Sequence, residues 1–231
     1  DRLLGQARRT LQRERAFVQD AAHEMRTPLA VVTAQAHVLA RSDDAAARAA
    51  AARHLEQAVL RAAHLAQQLL ELARLDEAPQ APVPTDLAAR LRDILAQAFP
   101  AAAARRIGLA LEAPAQLLRP ADPAALQSVA ANLVDNAVRY GDAGGQVQVT
   151  LAGAPGGGWS LAVQDDGPGI APAERERVFE RFYRGAGQAA SGAGLGLAIA
   201  RLGGRVRIGA GLRGRGVGFV VEVPADAAPP S

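Results

Sequence analysis

Leu4, Leu11, Val18, Met25, Val32 and Leu39 recur every seven residues, and Ala22, Leu29 and Ala36 form a second apolar row beside them. A period of seven sustained over this length selects a long helix with one greasy seam and excludes a strand, whose period is two. A second stretch, with Leu55, Ala58, Ala62, Leu65, Leu69 and Leu72, steps by threes and fours in the same way. Between them the polar run Arg41 to Asp44 reads as a turn, with Ser42 or Asp43 as the cap of the second helix. Two such helices bury only part of their apolar faces, so the expectation is a hairpin completed by a second copy as a dimeric four-helix bundle.

The pattern then breaks. Ala78 to Thr85 holds three prolines in eight residues, which end a helix and stiffen a connection. Beyond it, helices are expected over Leu87 to Phe99 and Pro123 to Tyr140. Strands are expected over Ile107 to Glu112, Gln146 to Leu151, Trp159 to Gln164, Arg205 to Gly209 and Val217 to Val223. Helices with a mixed sheet imply a two-layer α/β sandwich. The organisation read from this is a helical domain at 1–77, a Pro-rich linker at 78–85, an α/β domain at 86–224 and a disordered tail at 225–231.

Composition narrows the classes. All 26 basic residues are arginine, but 23 acidic residues leave a net charge of only +3, and no dense basic run is interleaved with aromatics. A nucleic-acid surface is therefore not expected. Without cysteine there is neither a disulfide framework nor a thiolate metal site. No apolar run reaches a membrane span, and no signal peptide stands at the start. The start at Asp1 without methionine reads as a fragment, with membrane attachment expected only through segments outside the chain.

Four segments carry chemistry. The first is HEMRTPL, beginning at His23. Helical arithmetic at 100° per residue turns His23 roughly 145° from the apolar stripe, so it is expected in solvent. An imidazole in water is largely neutral near pH 7 and is a competent nucleophile. Glu24 can take the proton from one ring nitrogen while the other attacks phosphorus. Thr27, one helical turn on, lies on the face of His23 and can place a water for the reverse hydrolysis. Pro28 cannot donate to the carbonyl of Glu24, so a bend is expected there. Taken singly, an exposed histidine is more often a solvated surface residue, and His37, His54 and His64 are read that way.

The second segment is NLVDNAVRY, which sets Asn132 and Asn136 one turn apart. A carboxamide oxygen is a hard, neutral ligand suited to Mg²⁺ carrying triphosphate. Arg139 can contact phosphate, and Tyr140 can pack on a base. The third is DDGPGI: Asp165 at a strand end can accept from an exocyclic amine, and Gly167 and Gly169 let backbone approach the base. The fourth is GAGLGL, in which Gly192, Gly194 and Gly196 lead into a helix suited to cradling phosphates. Alone, that glycine pattern fits a dinucleotide fold about as readily. Between the last two segments, Phe179, Phe182 and Tyr183 are expected to anchor a lid over Gly185 to Ser191.

HEMRTPL resembles the phosphoacceptor box of sensor histidine kinases. The ordered series of asparagine box, DxGxG, FxxF and GxGxG is similar to their catalytic ATP-binding domain, the Bergerat fold shared with DNA gyrase B and heat-shock chaperones. The resemblance runs from about residue 10 to residue 224. It implies autophosphorylation of His23 from ATP·Mg²⁺ and transfer to an aspartate of a response-regulator receiver domain, with dephosphorylation of that partner through Thr27. It implies that Asn136 binds Mg²⁺, that Asp165 reads adenine, and that Asn132 and Arg139 lie near the phosphates. It also implies a homodimer on the cytoplasmic side of an inner-membrane sensor. A gyrase-like ATPase would want glutamate at position 132 as general base, where this chain has asparagine. One departure stands out: Arg201-Leu202 runs directly into Gly203-Gly204, so the helix after the glycine box is about two turns short of the family pattern. That leaves an alternative, a catalytically impaired dimeric scaffold or phosphotransfer module.

Overall fold

The computed structural model describes residues 2–76, 81–180, 183, 197 and 205–225, with side chains in the long helices described at 18–19 and 21–70. The chain divides into two compact units, one built on the first two helices and one on the remaining elements. Each is described by itself.

The helical unit consists of α1, Arg2–Arg41, and α2, Ala45–Asp76. The turn is capped one residue later than expected. Asp44 Oδ1 accepts from the Ala46 N–H at 2.9 Å, while Ser42 Oγ accepts from the Asp44 N–H at 3.3 Å. Asp44 succeeds because its own carbonyl already accepts the first helical bond, from the Arg48 N–H at 3.0 Å. Along α2 the expected stripe is the covered one, with Ala51, Ala58 and Leu65 buried. Along α1 the covered face is rotated from the expected stripe. Met25 and Val32 are half-buried, but Val18 and Leu29 are 59% and 50% exposed. A hairpin has only one partner helix to offer, so the row through Ala22, Leu29 and Ala36 stays uncovered within the single chain.

The second unit holds the large core. Helix α3, Leu87–Ala104, and α4, Pro123–Tyr140, pack on a five-stranded sheet in the order β2-β4-β5-β7-β6. Its strands are β2, Gly108–Glu112; β4, Gln146–Gly153; β5, Trp159–Asp165; β6, Arg205–Ala210; and β7, Val217–Val223. Among the described strands only the β2–β4 pair is parallel, so the sheet is mixed, as expected. Strand alternation turns Val147, Val149 and Leu151 of β4 and Leu161 and Val163 of β5 onto the helices. From α4, Leu126, Val129, Ala130, Leu133, Val134 and Ala137 answer them at the i, i+3, i+4, i+7 spacing of one helix face.

Two strands went unread in the sequence: β1, Val83–Asp86, and β3, Leu118–Ala121, which pair antiparallel. Each carries a proline, and the register sets Pro84 opposite Pro120. Prolines suit such a free-edged pair and hide it from sequence patterning. Part of the stretch read as linker is thus a strand, and residues 77–80 lie outside the described residues. Helix α3 also runs past Phe99 and through Pro100, because Ala102 beyond it is completely buried in the core. Both helices start at aspartate caps. Asp122 accepts from Ala124 and Ala125 with Pro123 in the first turn, and Asp86 accepts from Ala88, Ala89 and the distant Leu117 N–H. Burial raises the Asp86 carboxyl, but those three N–H donors together with the Gln116 side chain outweigh it and hold the carboxyl below its ordinary value.

Candidate functional site

The core strand pattern itself creates the second unit's polar centre. β5 alternates inward at Leu161 and Val163, and the next inward position is Asp165, opposite Val147. A carboxylate therefore ends a row of apolar side chains, 6% exposed. Its Oδ1 accepts from the Gly167 N–H at 2.9 Å and from the Val217 N–H at 3.3 Å. Burial raises the Asp165 carboxyl above its ordinary value, against the pull of those two N–H groups; the neighbouring carboxylates Asp166 and Asp142 add to the rise.

Backbone approaches this carboxylate closely from two sides. A Cβ at Gly167 would lie 3.1 Å from Asp165 Oδ1 and 3.1 Å from Gly141 Cα, just beyond α4. Gly216, at φ +72°, is tighter: a Cβ there would meet the Asp165 carbonyl oxygen at 2.1 Å. Only glycine accommodates both the left-handed backbone and that approach. Gly216 was missed in the sequence, although the GRGVGF run that holds it was a signal of close backbone contact. Gly169 was singled out, and its φ of +75° with Gly216 backbone against it bears a similar constraint.

Helix α4 lies along the same region. Asn132 is buried and its Nδ2 donates to the Ser128 carbonyl at 2.8 Å, so it serves its own helix as well as any ligand. The Nδ2 of Asn136 is buried without a hydrogen-bond partner. Leaving such a donor unmet costs about 1–3 kcal/mol, which a phosphate oxygen would relieve. With a hard amide oxygen on the same group, Asn136 fits a site for nucleotide with Mg²⁺. Among the described residues no group of three or more acidic or histidine side chains is placed to hold a metal ion. The Arg139 guanidinium is bonded to Asp135 at 2.9 Å, one turn back. Tyr140 ends α4, and its carbonyl lies against the Gly167 turn.

The expected root of the lid is partly described. Phe179 meets Phe219 of β7 edge-to-face, with centroids 6.2 Å apart. Tyr183 donates its hydroxyl to Glu174 at 3.1 Å, and Arg177 lies over its ring at 4.4 Å. Phe182, the lid Gly185 to Ser191 and the glycine box Gly192, Gly194 and Gly196 lie outside the described residues. The shortened stretch at 201–204 lies outside them too.

On α1, His23 is exposed, as helical arithmetic expects, and so is Thr27 one turn on. Glu24 and Pro28 turn toward the covered side and are half-buried. The helix is continuous through Pro28. No helix among the described residues is long and apolar enough to cross a membrane.

An exposed histidine on a helical hairpin, followed by a sandwich with a buried aspartate and an asparagine-bearing helix, defines a phosphoacceptor module joined to an ATPase-type nucleotide domain. Residues 13–78 match the His Kinase A (phospho-acceptor) domain, and residues 121–227 match the histidine kinase-, DNA gyrase B- and HSP90-like ATPase family. The chain belongs to the sensor histidine kinases of two-component systems. It is 37% identical over 226 residues to the swarming motility regulation sensor protein RssA of Serratia marcescens, covering 94% of this chain and 48% of that protein. Full-length ShkA, solved in complex with AMPPNP, is 32% identical and superposes with a TM-score of 0.61 over 94% of this chain and 47% of that one. ThkA, solved in complex with response regulator protein TrrA, shares the fold at a TM-score of 0.75 with 20% identity, over 94% of this chain and 64% of that one. The chain spans about half the length of the curated relatives it matches.

Proposed function

We propose that the chain binds ATP with Mg²⁺ in the α/β unit, phosphorylates its own His23, and passes the phosphoryl group to an aspartate of a response-regulator receiver domain. The observation that carries this is Asp165, a buried carboxylate with Oδ1 tied to backbone and glycine backbone packed on both sides. Such a group accepts from the exocyclic amine of adenine in a slot too narrow for side chains. The unmet Asn136 amide N–H supports phosphate nearby. AMPPNP bound to ShkA and TrrA bound to ThkA favour the same nucleotide and partner classes.

In this reading Asp165 orients the base, Asn136 holds the metal with the phosphates, and Asn132 and Arg139 line the phosphate side. Mg²⁺ supplies neutralisation of charge on the phosphates when bound. Glu24 takes the proton from the His23 ring as the other ring nitrogen attacks the γ-phosphorus, the bond from that phosphorus to the β–γ bridging oxygen breaks, and ADP leaves. The uncovered row on α1 is closed by a second copy, giving a homodimeric four-helix bundle. The chain works as the cytoplasmic portion of an inner-membrane sensor.

Thr27 shares the exposed face with His23 and places water for dephosphorylation of the regulator. Thr27→Ala therefore loses phosphatase activity toward the phosphorylated regulator while autophosphorylation persists; unchanged dephosphorylation would remove Thr27 from that role. A titration with Mg·ADP, followed by calorimetry, tests the nucleotide side. Saturable binding is expected, whereas absence of binding would leave the chain as a dimeric scaffold or phosphotransfer module.

A further inference from the structure

The nucleotide site's two halves come from elements that meet at a turn: the C-terminal half of α4, which carries Asn132, Asn136 and Tyr140, and the Asp165 to Gly167 turn after β5. What holds the α4 end in place is a residue from elsewhere. Arg105, the C-terminal cap of α3, sends its half-buried guanidinium to the carbonyls of Val138, Arg139 and Gly141, the last at 2.9 Å. These are the carbonyls that a helix end leaves unmet, and a cation there also opposes the negative pole of the helix. The planar guanidinium reaches all three at once, a geometry that a point charge on a flexible stem matches poorly.

The same short turn is tied down by main chain. The Arg105 carbonyl accepts from the Gly144 N–H at 3.0 Å, and the Gly108 N–H donates to Gly145 at 2.9 Å. Gly141, whose carbonyl Arg105 grips, is the residue that Gly167 packs against. A displacement of the α4 end is therefore passed through Gly141 to the turn that donates to Asp165 Oδ1.

We propose that Arg105 is a positioning residue of the nucleotide site: it sets the spacing between the Asn136-bearing helix and Asp165 without touching the nucleotide. The inference rests on the nucleotide reading above. It predicts that losing Arg105 weakens nucleotide binding in protein that is still folded.

Arg92 supplies the control. It is a second α3 arginine that grips carbonyls, those of Pro114 at 3.2 Å and Ala115 at 2.6 Å, but in the loop between β2 and β3 rather than at α4. The experiment titrates the whole chain, as wild type, Arg105→Ala, Arg105→Lys and Arg92→Ala, with Mg·ADP at a temperature where circular dichroism shows each one folded. Arg105→Ala is expected to bind about tenfold more weakly, the loss of roughly one charge-assisted hydrogen bond's worth of alignment. Arg105→Lys should fall between it and wild type, and it carries the test if the alanine variant does not fold. Arg92→Ala should melt lower but bind as wild type does. In labelling with γ-labelled ATP, Arg105→Ala should raise the half-saturating ATP concentration and leave the rate at saturation nearly unchanged. Binding by both Arg105 variants within twofold of wild type overturns the proposal, as does equal weakening by Arg92→Ala. Failure of wild type itself to bind defeats the nucleotide reading instead, and the role of Arg105 with it.

Discussion

The two units treat apolar side chains in opposite ways. In the α/β unit Leu87, Leu91, Leu133 and Leu161 are fully buried, and their positions close the core without help from another chain. In the hairpin Leu60 is 64% exposed and Val18 59%. Two helices can cover one face each, whereas two helices on a five-stranded sheet enclose a volume. The unit that holds the nucleotide residues is thus self-contained, while the unit that presents His23 leaves greasy surface for another copy. A closed core and a hairpin with exposed apolar faces are different physical objects, and substitutions should separate them.

The largest contrast is in stability. Leu133→Ala opens a cavity in a closed core and should lower the unfolding free energy of the α/β unit by about 2–5 kcal/mol, read by denaturant melts. Nucleotide affinity follows the folded fraction. A loss below about 1 kcal/mol would mean that the core is looser than its burial indicates.

An intermediate effect is expected at the polar centre. Asp165→Asn should weaken Mg·ADP binding by about 10- to 100-fold, on the scale of a hydrogen bond to a charged group, about 1.5–3 kcal/mol. Its acid dependence has a definite sign. Burial raises the folded carboxyl above its unfolded value, so the residue's contribution to stability is present below the unfolded value and is lost as pH rises through the folded one. Binding moves the other way, because the adenine amine needs the ionised acceptor. Nucleotide affinity of the wild type should fall with acidification at a higher pH than an ordinary aspartate would give, a calorimetric titration at stepped pH should locate the fall, and Asp165→Asn should flatten that step. The ligand-free variant should melt no lower than wild type at neutral pH; a lower melt would show that the carboxylate stabilises the fold rather than serving a ligand.

The smallest effect on folding belongs to the hairpin. Leu60→Ala should change the stability of the single chain by no more than about 0.5 kcal/mol, as surface substitutions do. Its loss should appear instead as weaker self-association in sedimentation at low concentration. A folding loss comparable to that of Leu133→Ala, with association unchanged, would reverse the contrast between the units.

Much of this was legible because local chemistry and fold agree. Pro123 suits the first turn of α4, and the helix runs over Pro123–Tyr140 as its spacing predicts. Asp165 stood out by its glycines, and His23 by its helical phase. What stayed hidden depends on contacts between distant segments. The β1–β3 pair is written in prolines that local patterning reads as a break. Arg105 looks like any surface arginine until α4 is beside it, and Gly216 is fixed by the carbonyl of Asp165, a residue far away in sequence. The rotated covered face of α1 has the same origin: a heptad row names a helix's greasy side but not which of two neighbours will cover it.

The most direct measurement incubates the whole chain with γ-labelled ATP and Mg²⁺, as wild type, His23→Gln and Asp165→Asn, and follows acid-labile label on the protein. Label is expected on the wild type, at a reduced level on Asp165→Asn that recovers in part at high ATP concentration, and not on His23→Gln. Label persisting on His23→Gln would contradict the assignment of His23 as the acceptor.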